Sequence, residues 1–173
     1  MRSLLASAAA FVACLCAAPA HAGEIFGGFY VHDIQSPLSL SNVEDGVDVQ
    51  LGWRGDPVTT LKIQPHALLS VNSRGDTHYA AVGISRKFGD RVYIRPGVGI
   101  AVHSGSAKNF QNEANGKIEF GSRILFEPEL GIGARLNSRL TVEASLVHLS
   151  HAQLFGKQNP GLDAVGIRLN YRL

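Results

Sequence analysis

From position 163 to position 173 the chain alternates apolar and polar side chains with a period of two. Val165, Ile167, Leu169, Tyr171 and Leu173 form one row, and Arg168, Asn170 and Arg172 the other. Successive side chains of an extended strand point to opposite faces, so this segment is a strand with one apolar and one charged face. The pattern recurs upstream. Val92, Ile94, Pro96, Val98, Ile100 and Val102 oppose Arg91, Tyr93, Arg95, Gly97, Gly99 and His103. Ile124, Phe126, Pro128, Leu130 and Ile132 oppose Arg123, Glu127, Glu129 and Arg135, and Val47, Val49, Leu51 and Trp53 oppose Asp48, Gln50 and Arg54. After residue 22 no stretch approaches the ~20 consecutive apolar residues of a spanning helix, and no long segment repeats its apolar residues at three and four. The fold class is all-β.

Two architectures use such strands: a soluble sandwich or barrel with an apolar interior, and a transmembrane barrel with an apolar exterior. The minority face separates them. Its charges have both signs and alternate with glycines, as in Arg95, Glu127, Glu129, Arg135, Glu143, Arg168 and Arg172, which suits charges paired in a narrow lumen. Apolar rows five or six residues long are tall enough for an outer-membrane hydrocarbon belt of ~25 Å. The expected architecture is therefore an eight-stranded antiparallel transmembrane β-barrel, with strands at 23–33, 45–54, 60–71, 77–88, 91–104, 121–136, 139–150 and 163–173. The short joints Gly55-Asp56-Pro57, Gly89-Asp90 and Asn137-Ser138 alternate with longer ones after the first, fifth and seventh strands, the turn near Asn72 to Asp76 being the one brief joint on that side. Outer-membrane barrels have short periplasmic turns and longer external loops. The junction between the last two strands thus falls at the outer rim.

Residues 1–22 read as an export signal: a basic start at Arg2, an apolar run from Leu4 to Ala18, and a small-x-small cleavage site at Ala20-His21-Ala22. The barrel domain is then 23–173. A lipoprotein reading of Cys14 lacks the usual leucine three residues before the cysteine. Cys14 and Cys16 are the two cysteines of the chain, and both lie in the leader. No disulfide framework or cysteine metal site follows from them. The basic residues are scattered singly along a chain of formal net charge +2, which argues against a nucleic-acid partner.

A polar group interrupts the apolar row of the seventh strand. Leu140, Val142, Ala144 and Leu146 are followed in the same row by His148 and Ser150, and the facing row of the eighth strand begins at Asp163. By alternation all three project from the outside of the barrel near the lipid head groups. Residues two apart on a strand share a face about 7 Å apart, within reach of an imidazole. A serine hydroxyl is a weak nucleophile until a histidine takes its proton, and a carboxylate fixes the histidine tautomer and stabilises its cation. Rim histidines and hydroxyls are also common as solvated groups. Ionisable residues in a lipid-facing row nevertheless mark a functional site by default.

The stretch His148-Leu149-Ser150-His151-Ala152, followed by Asn159-Pro160-Gly161-Leu162-Asp163 and a terminal strand, resembles the lipid A 3-O-deacylases (PagL) of Gram-negative outer membranes. Residues 96–105 and 131–134 look like two further strands of that family, and the resemblance covers roughly 91–173. It implies an eight-stranded barrel hydrolysing the ester-linked acyl chain at position 3 of lipid A. Ser150 would be the nucleophile, His148 the general base and Asp163 the orienting acid. No cofactor is implied. The implied partners are lipopolysaccharide and the outer membrane, with a homodimer permitted. Asp163 stands where the family usually has Glu, His151 where it typically has Asn, and Gln153 where it typically has Gly. The family's asparagine is a candidate oxyanion donor, so Asn159 and His151 are the oxyanion candidates here.

Two other functions fit the same residues: a non-enzymatic structural or adhesion barrel, and an esterase acting on another lipid. Lys157, in the last loop, could meet a lipid phosphate as a point charge, although a solvated lysine is the plainer reading. His32, His66, His78 and His103 are too dispersed for a metal site. The Gly97-Val98-Gly99 and Gly131-Ile132-Gly133 pairs lack a following helix and read as small residues in a tight barrel interior.

Overall fold

The computed structural model describes residues 23–39, 42–108, 115–152, 154 and 160–173. The expected leader, 1–22, lies outside them. Eight strands follow in chain order: β1 (Glu24–Val31), β2 (Val47–Arg54), β3 (Ile63–Asn72), β4 (Tyr79–Arg86), β5 (Val92–His103), β6 (Ile124–Arg135), β7 (Leu140–Leu149) and β8 (Leu162–Arg172). A two-residue piece, Phe88–Gly89, extends β4 along β5 after a break at Lys87. Each strand pairs antiparallel with its chain neighbour, and β1 pairs with β8 from Glu24↔Arg172 to Val31↔Val165. The sheet is a closed eight-stranded antiparallel barrel, as the alternation predicts.

Closure removes every free edge and sorts the two rows of each strand. On β8 Val165, Ile167, Leu169 and Tyr171 are exposed while Arg168 and Asn170 are buried. Phe29, Leu51, Val82, Ile100 and Ile132 belong to the same outward apolar surface. An aqueous protein would not present such a belt, whereas a hydrocarbon layer is matched by it. The sequence rows and the structural faces agree strand for strand, including Tyr93, which points inward and donates to Thr141 Oγ1 at 3.2 Å.

The lower lumen holds a closed ring of ion pairs. Arg54 meets Glu129 at 3.3 Å and Glu24 at 2.6 Å, Arg168 meets Glu129 at 2.9 Å and Glu143 at 2.5 Å, and Arg95 meets Glu143 at 3.2 Å and Glu24 at 2.7 Å. Each buried guanidinium thus lies between two carboxylates, which buried charges require. The interior glycines make room for them: a Cβ on Gly131 would sit 2.5 Å from Glu143 Oε1, and one on Gly99 2.6 Å from Glu127 Oε2. Arg135 and Arg172, expected among the lumen charges, are exposed instead. They stand at the strand ends, beyond the closed lumen, where Arg135 pairs with Asp90.

The upper lumen carries an apolar plug beside buried polar groups such as Asp48, Asn72 and His103. Leu125, Val147, Leu149, Leu162 and Ala164 are fully or almost fully buried there, joined by Ile118 and Phe120 from the connection after β5. Beside this plug, Glu44 accepts hydrogen bonds from Thr77 N at 3.0 Å, Thr77 Oγ1 at 3.1 Å and Ile118 N at 3.1 Å. It also meets His32 Nε2 at 3.1 Å, while His32 Nδ1 meets Asp48 at 2.8 Å. Burial opposes the charge on His32, but its bonds to Asp48 and Glu44 outweigh it and lift the imidazole to about 9. Three connections are thereby tied together over the barrel mouth.

The joint after β2 is longer than the expected Gly55-Asp56-Pro57. Val58 bridges Ile63, and a tight turn between them puts Thr59 and Lys62 at positive φ, 66° and 54°. Residues 60–62 belong to that turn, so β3 starts three residues later than the alternation suggests.

Candidate active site

Strands β7 and β8 set His148 directly opposite Asp163, between the pairs Val147↔Ala164 and Leu149↔Leu162. By period two His148 continues the row of Ala144 and Leu146, and Asp163 the row of Val165 and Ile167. His148 Nδ1 lies 2.6 Å from Asp163 Oδ1. A carboxylate held at Nδ1 fixes the proton there and leaves the Nε2 lone pair free to accept another. The aspartate reaches the ring because the two residues are cross-strand partners; no longer side chain is needed to bridge them.

Asp163 is fully buried, while the side chain of His148 keeps 12% of its surface. A buried carboxylate has to be satisfied at both oxygens. Oδ1 takes the histidine, and Oδ2 accepts the Ser36 hydroxyl from the connection after β1. That connection is fixed against β8 at two more points. Ile34 N donates to the Asp163 carbonyl at 2.9 Å, and Ser39 Oγ donates to the Gly161 carbonyl at 2.6 Å. Gly161 in turn lies against the imidazole: a Cβ there would approach His148 Cε1 to 2.7 Å. Ser36 and Ser39 carry no signal of their own in the sequence, since nothing in the alternation links residues 36 and 163.

Ser150 follows one turn of the pleat after His148. β7 ends at Leu149, but Ser150 keeps the β6–β7 register in an isolated bridge to Phe126, with backbone N···O distances of 3.2 and 2.7 Å. It therefore stays in the row of His148, and only 7% of its surface is exposed. Among the described residues the contacts around the site join His148 to Asp163 and include none between the Ser150 hydroxyl and the imidazole. Such bonds are often long before substrate binds.

The chain leaves the sheet two residues later, at Ala152, whose φ is 50°. His151 is buried just before this turn, and no described contact brings it to the His148–Asp163 pair. Asn159, Gln153 and Lys157 lie outside the described residues. The remaining histidines are taken up separately: His66 faces Glu127 at 3.5 Å, His78 Nδ1 accepts Asn72 N at 3.0 Å, and His103 Nε2 meets the Ser122 carbonyl at 2.7 Å.

Comparison with curated proteins gives no match. Among solved structures, the crystal structure of the outer membrane enzyme PagL superposes with a TM-score of 0.62 at 17% identity, covering 87% of this chain and 99% of that one. A structure from the de novo design of transmembrane β-barrels gives 0.51 at 13% identity, covering 87% and 96%. At these identities the superpositions speak for the barrel alone. The sequence itself carries the closer relationship, since residues 46–172 match the family model described as Lipid A 3-O-deacylase (PagL). With most of the barrel inside that match, the chain belongs to the lipid A 3-O-deacylase (PagL) family.

Proposed function

We propose that this protein is a serine esterase of the outer membrane that removes the acyl chain ester-linked at position 3 of lipid A. The observation that carries the reading is the 2.6 Å contact of His148 Nδ1 with buried Asp163, with Ser150 two residues on in the same row. Ser150 is the nucleophile, His148 the general base and Asp163 the orienting acid. Their rows are those of the apolar outward side chains, so the site opens to lipid rather than to the lumen. The acyl chain lies along the barrel wall, and the ester stops at the rim.

The chemistry follows from the tautomer. With its proton held at Nδ1 by Asp163, His148 takes the Ser150 proton at Nε2 as the hydroxyl oxygen attacks the ester carbonyl. The tetrahedral oxyanion collapses, and the same proton goes to the departing sugar oxygen. Water, activated by His148, then cleaves the acyl-serine. The products are a free fatty acid and 3-O-deacylated lipid A. Oxyanion donors are proposed from Asn159 and His151. Residues 1–22 are proposed as the leader that exports the chain.

Mass spectrometry of lipid A from Gram-negative cells expressing this chain, against cells expressing Ser150→Ala, tests the reading. Loss of one hydroxyacyl group from position 3 only with the serine present is the expected result. Unchanged lipid A with the barrel folded in the outer membrane would refute it. Serine-dependent release of fatty acid from phospholipid alone would instead make the chain an esterase on another lipid.

A further inference from the structure

We propose that Ser36 is a positioning residue for the His148–Asp163 pair, holding the second carboxylate oxygen so that the first stays aimed at the imidazole. Its kinetic consequence rests on the esterase reading above; the geometry stands apart from it. Asp163 is fully buried and has two oxygens to satisfy, and the Ser36 hydroxyl is what reaches Oδ2. A carboxylate held at one oxygen alone can turn about its terminal bond, a soft torsion, and present the ring with a poor lone pair. Held at both oxygens, it cannot.

The direction of the Ser36 proton is set as well. A hydroxyl has one proton to give and two lone pairs. Leu38 N donates to Ser36 Oγ at 2.9 Å and Ser39 N lies 3.5 Å from it, so the lone pairs face the backbone and the proton faces Asp163. The turn that arranges this is itself pinned by Ser39 Oγ on the Gly161 carbonyl and by Ile34 N on the Asp163 carbonyl. Residues 34–39 thus clasp the acid through its side chain and its backbone. They also clasp Gly161, which stands against His148 Cε1. When His148 becomes a cation during turnover, the negative charge opposite it is shared with a hydroxyl already in place, so no reorganisation is required at that moment.

The test compares wild type, Ser36→Ala, Ser36→Thr and Ser39→Ala as purified barrels in detergent micelles with lipid A as substrate. Losing one hydrogen bond to a charged group predicts a kcat about tenfold lower in Ser36→Ala with KM within about twofold. Threonine restores the hydroxyl and most of the rate. Ser39→Ala disturbs the same turn without touching the carboxylate, so its kcat falls less. A wild-type kcat in Ser36→Ala overturns the proposal, and so do equal losses in the two alanine variants with no recovery by threonine. Proton NMR of the imidazole Nδ1–H supplies a reading independent of substrate. A downfield resonance present in wild type and Ser36→Thr and broadened or shifted in Ser36→Ala supports positioning, and an unchanged one overturns it. If wild type leaves lipid A intact, the deacylase reading fails on that result, and the NMR comparison alone decides the role of Ser36.

Discussion

His148 and Asp163 are paired twice, once as cross-strand partners on β7 and β8 and once through a 2.6 Å contact between Nδ1 and Oδ1. The backbone ladder therefore fixes the geometry of the side-chain pair. It also makes the length of the acid critical. Asp163→Glu adds a methylene to a fully buried carboxylate already filled by His148 on one side and Ser36 on the other. Overfilling a packed site typically costs about 1–3 kcal/mol. Although the related deacylases usually carry glutamate at this position, the substitution is expected to lower kcat about tenfold here, as a steady-state assay on lipid A would show. Full activity would mean that the strands yield to the longer acid.

Removal of each of the three groups should follow their roles. Ser150→Ala and His148→Ala abolish bond making and proton transfer, whereas Asp163→Ala leaves a histidine that is misaligned but still basic. The residual rate of Asp163→Ala is expected to be roughly a hundredfold above that of the other two, as in triads where the acid is the least costly member to lose. Initial rates on purified lipid A, with barrel integrity followed by heat-modifiable gel mobility, would check the order. Equal residual rates for all three would remove the orienting role from Asp163.

Gly161 supports the site through what it lacks. A Cβ there would stand 2.7 Å from His148 Cε1 and 3.1 Å from the Leu149 carbonyl, and the side chain that would have to move is the imidazole. Gly161→Ala is expected to reduce kcat about tenfold or more by turning the ring from Asp163, since misplacements near 1 Å are enough for losses of that size. Its urea midpoint should stay near wild type. A variant with unchanged kcat and a lowered midpoint would show that Gly161 serves packing alone.

The barrel was legible in the sequence because its cause is local. A period-two row of apolar residues has one interpretation per strand, and a one-residue slip would reverse both faces, so Val165 to Tyr171 and Arg168 fix their own sides. The apposition of His148 and Asp163 could be read for the same reason, because both stand at the outer ends of two consecutive antiparallel strands and counting along their rows puts them on one face. The Ser36 contact could not be read that way. It spans 127 positions and depends on the fold of a connection with no periodicity. Ile118 and Phe120 are likewise illegible in the sequence: they are isolated apolar residues in a loop, and only the closed mouth of the barrel gives them something to plug. Arg135 and Arg172 show the opposite failure, for alternation sets their face but not the height at which the lumen ends.

The ring of ion pairs should behave as a unit. Arg168 is buried between Glu129 and Glu143, so Arg168→Ala leaves two carboxylates facing each other's charge without their shared cation. Breaking such a buried pair costs about 3–5 kcal/mol. Urea unfolding in lipid vesicles, followed by the single Trp53, should show that loss. The double change Arg168→Met and Glu129→Gln should recover part of it, because the ring then holds Arg54 and Arg95 against Glu24 and Glu143 with no charge in excess. No recovery would mean that the ring's hydrogen bonds, rather than its charges, hold the strands.

The mouth cluster gives the barrel a pH dependence on both sides. His32 titrates at about 9 when folded, above its ordinary 6.5. Its contribution to stability is therefore complete below about 6.5 and disappears as pH rises through about 9. Glu44 is lowered when folded, since the bonds from His32, Ile118 and Thr77 outweigh the burial that opposes its charge. Its contribution is complete above about 4.5 and fades as pH falls through the lowered value. The cluster is strongest between these limits. His32→Gln should therefore be less stable than wild type by at most about 3 kcal/mol near pH 6, and the gap should close by about pH 10. Urea midpoints of the two proteins at several pH values measure it directly. A gap that stays constant into the alkaline range would show that His32 holds Glu44 and Asp48 as a neutral hydrogen-bonding ring rather than as a cation.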